Sequence, residues 1–536
     1  MNTYGQIKLG FKMGKLSIIC CLFILFCRAS LFSDQELIDD DIILNPELHF
    51  YEIQEEISES TEQISFSAQN YLRFSENKNL YHNKNRLQIK YQEVDFKIIH
   101  ENNLQSDKYN KPFGLSLSLK KEYFVGQYQI EHGYGVLLSK GAFISQKPGF
   151  NYSINDHQSR VFSNARPYYS RSFMGLAWEK KISAKWKTIL FFSYKDLAAR
   201  TENKKIISFQ FDSPTPEQTE LSILHGGIIQ YQSPNWRLNT LVYYNYTELE
   251  YHKTPVSASV VASMQIQDYL LFTEIASSNA QLALLSGFRN RQQGFEQSLV
   301  YRRLSERYQA DYANMISNSA NQTNEEGLFY QVNYRIKAYW LSTFIDFFQN
   351  IEPLERYSAK NKGTYVGIKI EKFGLFSIDD MNLSISWREK TDKEWRNLSG
   401  ISKYENRQHD YVNIGWQQTA SKIFRTNLSL DYQKRNYRAY ELANKGIAIT
   451  QSLELNFQKT KFAWKIGFFD TTIPLYLYRY NGRLNNPLLV LSGEGQYSLL
   501  HITKQISQNI NLESMISVLK NESTEYNMSV LLSSKF

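Results

Sequence analysis

The stretch EYNMSVLLSSKF (Glu525–Phe536) alternates almost strictly. Tyr526, Met528, Val530, Leu532 and Phe536 fall on one face of an extended chain, and Glu525, Asn527, Ser529, Ser533 and Lys535 on the other. Leu531 and Ser534 are the imperfections. Successive side chains of a strand point to opposite faces, so this is a strand with one apolar and one polar surface.

The preceding segment repeats the pattern. Ile506, Ile510, Leu512, Ile516 and Val518 oppose Ser507, Asn509, Asn511, Glu513 and Ser517, and the polar turn KNESTE (Lys520–Glu525) joins the two into an antiparallel hairpin. Working back along the chain, Trp186, Thr188, Leu190, Phe192 and Tyr194 read alike, as do Trp236, Leu238, Val242, Tyr244 and Tyr246. Phe424, Leu428, Leu430 and Tyr432 follow the same rule, then Leu453, Leu455 and Phe457, then Phe462, Trp464, Ile466 and Phe468. In LQIKYQEVDFKII the apolar phase slips at Glu93, which predicts a bulge. Roughly 20 to 26 such strands are expected from about residue 60 onward.

A soluble sandwich or propeller would need a core for all this apolar area, yet only 42% of residues are apolar, while Tyr (37) and Phe (33) are abundant and Pro (11) is scarce. A transmembrane barrel resolves the mismatch. Apolar side chains face lipid, polar ones face a wet lumen, and closure removes unsatisfied edges. The predicted fold class is all-β, a single large antiparallel transmembrane barrel with a long internal loop or plug.

The first 29 residues read as a signal peptide: Lys12 and Lys15, then the apolar LSIICCLFILF (Leu16–Phe26), then Cys27-Arg28-Ala29, with Met13 as an alternative start. The apolar run is too short to span a bilayer as a helix. Cys20, Cys21 and Cys27 are all inside it, so no disulfide framework is expected in the mature chain. Losing Lys8, Lys12, Lys15 and Arg28 takes the formal charge from +8 to +4, too mild to argue for a polyanion, and no nucleic-acid partner is expected. Residues 30–60 form an acidic periplasmic segment with Asp39, Asp40, Asp41, Glu55, Glu56 and Glu59, and 61–536 form the barrel. Outer-membrane lipid and the barrel-insertion machinery are the expected partners, with envelope proteins left open.

Candidate chemistry is sparse. EHGYG sets Glu131 and His132 beside Gly133 and Gly135, but adjacent strand residues point apart, so the glycines read better as a bend or a close loop approach. Asp156, His157 and Ser159 lie in the irregular stretch Gly141–Tyr169, a candidate plug or gate, with nothing to fix their mutual geometry. No catalytic residue, metal site or cofactor is assigned. Lys461, Lys465, Glu454 and Asp431 are the expected lumen charges, and Glu274, Arg302, Arg303 and Asp346 are further strand charges. Such groups either tune what passes or pair across strands as a polar filling.

Six segments in order, VGQYQIEHGYGVLLSKGAF (125–143), ARPYYSRSFMGLAW (165–178), FFSYKDLAAR (191–200), FTEIASSNAQLALLSGF (272–288), LVYRRLSERYQADYANMISNSANQTNEEGLFYQV (299–332) and FFDTTIPLYLYRY (468–480), resemble a family of Gram-negative outer-membrane β-barrels. Members often carry an N-terminal helix-hairpin-helix region similar to competence DNA receptors. Residues 30–122 show no such glycine signature, so a DNA role is not carried over. The resemblance implies residence in the outer membrane, and Met528, Val530, Leu532 and Phe536 resemble the signal by which such barrels are recognised for insertion. A channel or transporter for an unidentified solute is the leading expectation, a non-conducting structural or assembly component the alternative.

Overall fold

A computed structural model describes residues 64–535, apart from 76–79, 104–112, 140–147, 151, 153, 155–157, 166–171, 203–204, 210–217, 248, 250–254, 320–322, 354–359, 376–377, 399–400, 420, 422, 438–441, 479–487 and 522–523. The signal peptide, the acidic segment, Asp156, His157 and Phe536 therefore lie outside the described residues.

The strands are β1 (Ile64–Ser75), β2 (Leu80–Tyr91), β3 (Val94–Asn103), β4 (Phe113–Leu119), β5 (Tyr123–Glu131), β6 (Arg160–Ser163), β7 (Phe173–Lys181), β8 (Trp186–Glu202), β9 (Lys205–Phe209), β10 (Gln218–Gln232), β11 (Trp236–Thr247), β12 (Val256–Ile266) and β13 (Tyr269–Ser278). They continue as β14 (Gln281–Gln292), β15 (Phe295–Leu304), β16 (Glu325–Ile336), β17 (Tyr339–Gln349), β18 (Lys362–Leu375), β19 (Ile378–Leu398), β20 (Ile401–Thr419), β21 (Phe424–Tyr437), β22 (Leu442–Phe457), β23 (Thr460–Tyr478), β24 (Leu488–Ser507), β25 (Ile510–Lys520) and β26 (Thr524–Lys535).

All pairings are antiparallel, and β26 closes on β1 with Met528 opposite Phe74, Val530 opposite Leu72 and Leu532 opposite Asn70. The short β6 and β9 pair only with the ends of β5 and β8, so 24 of the 26 strands make the closed ring. Closure leaves no sheet edge to satisfy, the condition for standing in hydrocarbon.

The outside is apolar. Leu190, Phe192, Val242, Val260, Ile275 and Phe347 are exposed there, and Met528 and Leu532 join them across the closing seam. Exposed Trp186, Trp236, Tyr269 and Tyr339 stand beside the short turns, with Tyr194 and Tyr246 further up the same strands. From Trp236 to Tyr246 is ten residues, which at ~3.3 Å each and ~40° of tilt is ~25 Å, the height of a bilayer-facing band. This is an outer-membrane-type transmembrane β-barrel.

The two rims differ. Eleven connections on one rim have two to four residues, while the other carries the long ones, including 132–159 and 305–324. The tight turns are built without the usual Asn-Gly. Gln92, Gln267, Lys337 and Gln458 take φ of 49°, 53°, 52° and 51°, the left-handed conformation that two-residue hairpin turns demand. Two sequence readings change accordingly. The phase slip at Glu93 is a hairpin turn at Gln92–Glu93 between β2 and β3, not a bulge, because a two-residue loop reverses the chain and resets the face of every following residue. Likewise Ile506 belongs to β24 and Ile510 to β25, divided by a turn at Gln508–Asn509.

Candidate functional site

One half of the barrel interior is filled. After Glu131 the chain leaves the wall and turns into the lumen, nine residues before the stretch singled out as a plug. Gly133 makes this possible: its φ is +56°, and a Cβ there would meet Val261 and Glu274 side-chain atoms at 2.5 and 2.6 Å. The buried His132 imidazole sits between two hydroxyls, Ser159 Oγ at 3.0 Å from Nδ1 and Ser259 Oγ at 2.8 Å from Nε2. Burial among uncharged groups pushes its pKa down to about 3. Glu131 takes a different side, pairing with Arg160 at 3.1 Å, as opposite-facing neighbours should.

The buried Glu274 carboxylate on β13 accepts the Tyr134 N–H at 2.6 Å, and its second oxygen has no partner among the described residues. Further along the loop, Phe150 meets Phe344 edge-on at 4.9 Å, Tyr152 meets Phe329 at 5.2 Å, and Gln331 Nε2 donates to the Phe150 carbonyl at 3.0 Å. Aromatic pairs of this kind add about 0.5–1.5 kcal/mol each beyond burial.

A second loop, 305–324, packs on the first. Tyr308 Oη donates to the Val136 carbonyl at 2.8 Å, the Asn314 N–H to Gly135 at 2.9 Å, and the Ser139 N–H to Tyr312 at 2.9 Å. At its base the fully buried Arg302 donates from Nε to Glu325 at 2.6 Å and by a fork to both Asp346 oxygens at 2.7 and 3.0 Å. Glu325 accepts the N–H groups of Asn318 and Ser319 and the Ser317 hydroxyl, which latches the loop to the network. Gly327 leaves the space that Arg302 fills, since a Cβ there would lie 2.5 Å from Cζ. Arg302 and Asp346 are thus polar filling, while Arg303 is exposed.

The other half is different. The inner face of β18–β25 is polar and half-buried, and all four expected lumen charges point inward there. Glu454 and Lys461 pair at 3.0 Å near the short-turn rim. Asp431 accepts from Asn413 Nδ2 at 2.8 Å, and Lys465 lies close enough to it to interact electrostatically. The structure brings each pair together but does not gather the four into one site.

A set not singled out from the sequence lies higher on β19–β21. Arg407 forks onto Asp392 at 2.8 Å from both Nε and Nη2, and His409 accepts or donates at Nδ1 to Tyr411 Oη at 2.8 Å. Arg388 lies over the Tyr411 ring at 4.9 Å. The signal for it was WREK, ENRQHDY and QKRNY, charged and aromatic residues on the polar face of strands of 14 to 21 residues, longer than a bilayer needs.

No family model matches the chain, and no curated protein does. Solved structures similar to it include a copper transporter, OprC, at TM-score 0.48 and 9% identity, covering 89% of this chain and 84% of its own. The siderophore receptor PirA from Pseudomonas aeruginosa follows at 0.46 and 6%, covering 89% and 81%. A ferric enterobactin receptor, PfeA, from the same organism is similar at 0.48 and 7%, covering 89% and 81%. Likenesses of this size carry no solute to this chain.

Proposed function

We propose that this barrel is an outer-membrane channel or transporter for a small solute, with the pathway running between the inward loop and the polar wall of β18–β25. The observation that carries the reading is the asymmetry of the interior. Half-buried polar side chains line the inner face of β19–β22 on one side, and an inward loop packed on the wall narrows the other. Lining charges set which ions enter such a path. No reaction is assigned to it. The resemblance to barrels that carry a helix-hairpin-helix region remains part of this proposal, without the DNA role.

The Arg302–Asp346–Glu325 network favours a second reading, a non-conducting envelope component, because paired buried charges are a means of filling a lumen. Single-channel recording of the refolded full chain, with heat-modifiable migration as proof of closure, separates the two. Steady ion conductance supports the channel; a closed barrel that stays electrically silent in wild type and in loop-releasing variants supports the scaffold.

A further inference from the structure

The inner wall of β19–β21 carries more than hydration. Arg388, Lys390, Arg407 and Arg435 share the inward face of β19–β21, among the described residues, with Asp392, Glu405 and Asp431, and Lys465 on β23 lies one step lower. Asp392 is already engaged by Arg407 and by Lys390, the latter at 3.4 Å. Arg388 and Arg435 have no carboxylate within ion-pair distance among the described residues. Arg388 rests on the Tyr411 ring, and Arg435 Nε approaches the His409 imidazole at 3.4 Å. The His409 and Tyr411 rings lie 3.9 Å apart, tilted by 34°.

Guanidinium groups without a directly bonded carboxylate, Arg388 sensing Asp431 only at a distance, beside aromatic faces match a ligand that is both anionic and planar. A carboxylate suits the guanidinium fork, and a ring suits the tyrosine and imidazole faces. The position is right for capture. Arg388 is ten residues beyond the start of β19 at the short-turn rim, so it lies on the long-loop side. Tyr365 on the neighbouring β18 packs on Phe344, which holds Phe150 of the inward loop, so the cluster borders the narrowing.

We propose that Arg388 and Arg435, with Tyr411 and His409, form the recognition site for an aryl carboxylate entering from the long-loop side. The proposal rests on the channel reading and names its solute class. The carboxylate bridges the two guanidinium groups, and the ring lies along Tyr411.

The test is equilibrium dialysis of benzoate against the refolded full chain, in parallel with bilayer recording. Saturable benzoate binding is expected in the wild type, at least tenfold weaker in the Arg388→Gln/Arg435→Gln double variant and unchanged in Lys434→Gln on the outward face of the same strand. Tyr411→Leu is expected to weaken benzoate severalfold while leaving inorganic phosphate unaffected. Heat-modifiable migration confirms that each variant is folded. Non-saturable benzoate, equal binding by the double variant, or phosphate competing as strongly as benzoate overturns the proposal. Absent binding in a conducting barrel removes the site alone, whereas benzoate binding in a silent barrel removes the channel reading and keeps the site.

Discussion

The half of the wall from β5 to β17 and the half from β18 to β26 are made of the same kind of strand, yet they do opposite things on the inside. In the first, thirty buried residues join wall and loops into one cluster; in the second, the buried apolar clusters among the described residues are two sets of four, one of which reaches Tyr71 on β1. The difference is written in the inward positions. Phe191, Leu270, Phe272, Leu285, Val300 and Phe329 face in on one side, where Ser386, Arg407, Asn413, Asp431 and Lys465 face in on the other. An apolar inner face must be covered, because water against it costs about 25 cal/mol per Å². The inward loop is the cover.

The comparison breaks most readily at Arg302. Arg302→Met leaves Asp346 and Glu325 buried without their cation, a loss of about 3–5 kcal/mol. The latch on 305–324 should open, seen as protease cleavage within that loop in a barrel that still migrates as folded. Gly133→Val is next, costing about 1–3 kcal/mol through backbone strain and overlap with Val261 and Glu274. It should raise single-channel conductance by releasing the first loop, with no change in ion selectivity.

Acid should loosen the filled half through His132. His132 has an ordinary pKa near 6.5 when free and about 3 when buried, so the released loop binds the proton more readily. The His132 contribution to the closed loop is full above pH ~6.5 and is lost progressively as pH falls toward about 3. Conductance measured across this range should rise as pH falls, and His132→Gln should flatten the profile. The smallest effect on stability belongs to the polar half. Lys465→Gln should change stability by about 1 kcal/mol, less than the other variants, while shifting the reversal potential toward cations, since Asp431 keeps its Asn413 partner and a lining charge sets which ions pass.

The barrel was legible because alternation in stretches such as Phe462–Phe468 is a direct record of two solvents. Turn positions were less so, since Gln-Glu at 92–93 and Gln-Lys at 458–459 carry no glycine or asparagine to mark the left-handed first residue. The filled half was legible in principle. ILFF (189–192), YLLF (269–272) and LALL (282–285) are apolar on both faces, the pattern of strands covered on both sides. What no periodicity shows is which distant groups meet. Arg302, Glu325 and Asp346 are joined by barrel closure and loop return, as are His132 and Ser259, 127 residues apart.

The two interiors can be compared in one recording. The predicted mature chain has no cysteine, so Ser386→Cys in the polar half and Leu285→Cys in the filled half give single thiols at matched inward positions. A water-soluble, membrane-impermeant thiol reagent added during single-channel recording should step the current down for Ser386→Cys and leave Leu285→Cys unchanged. Equal modification of both, or modification of Leu285→Cys alone, would contradict a pathway along the polar wall.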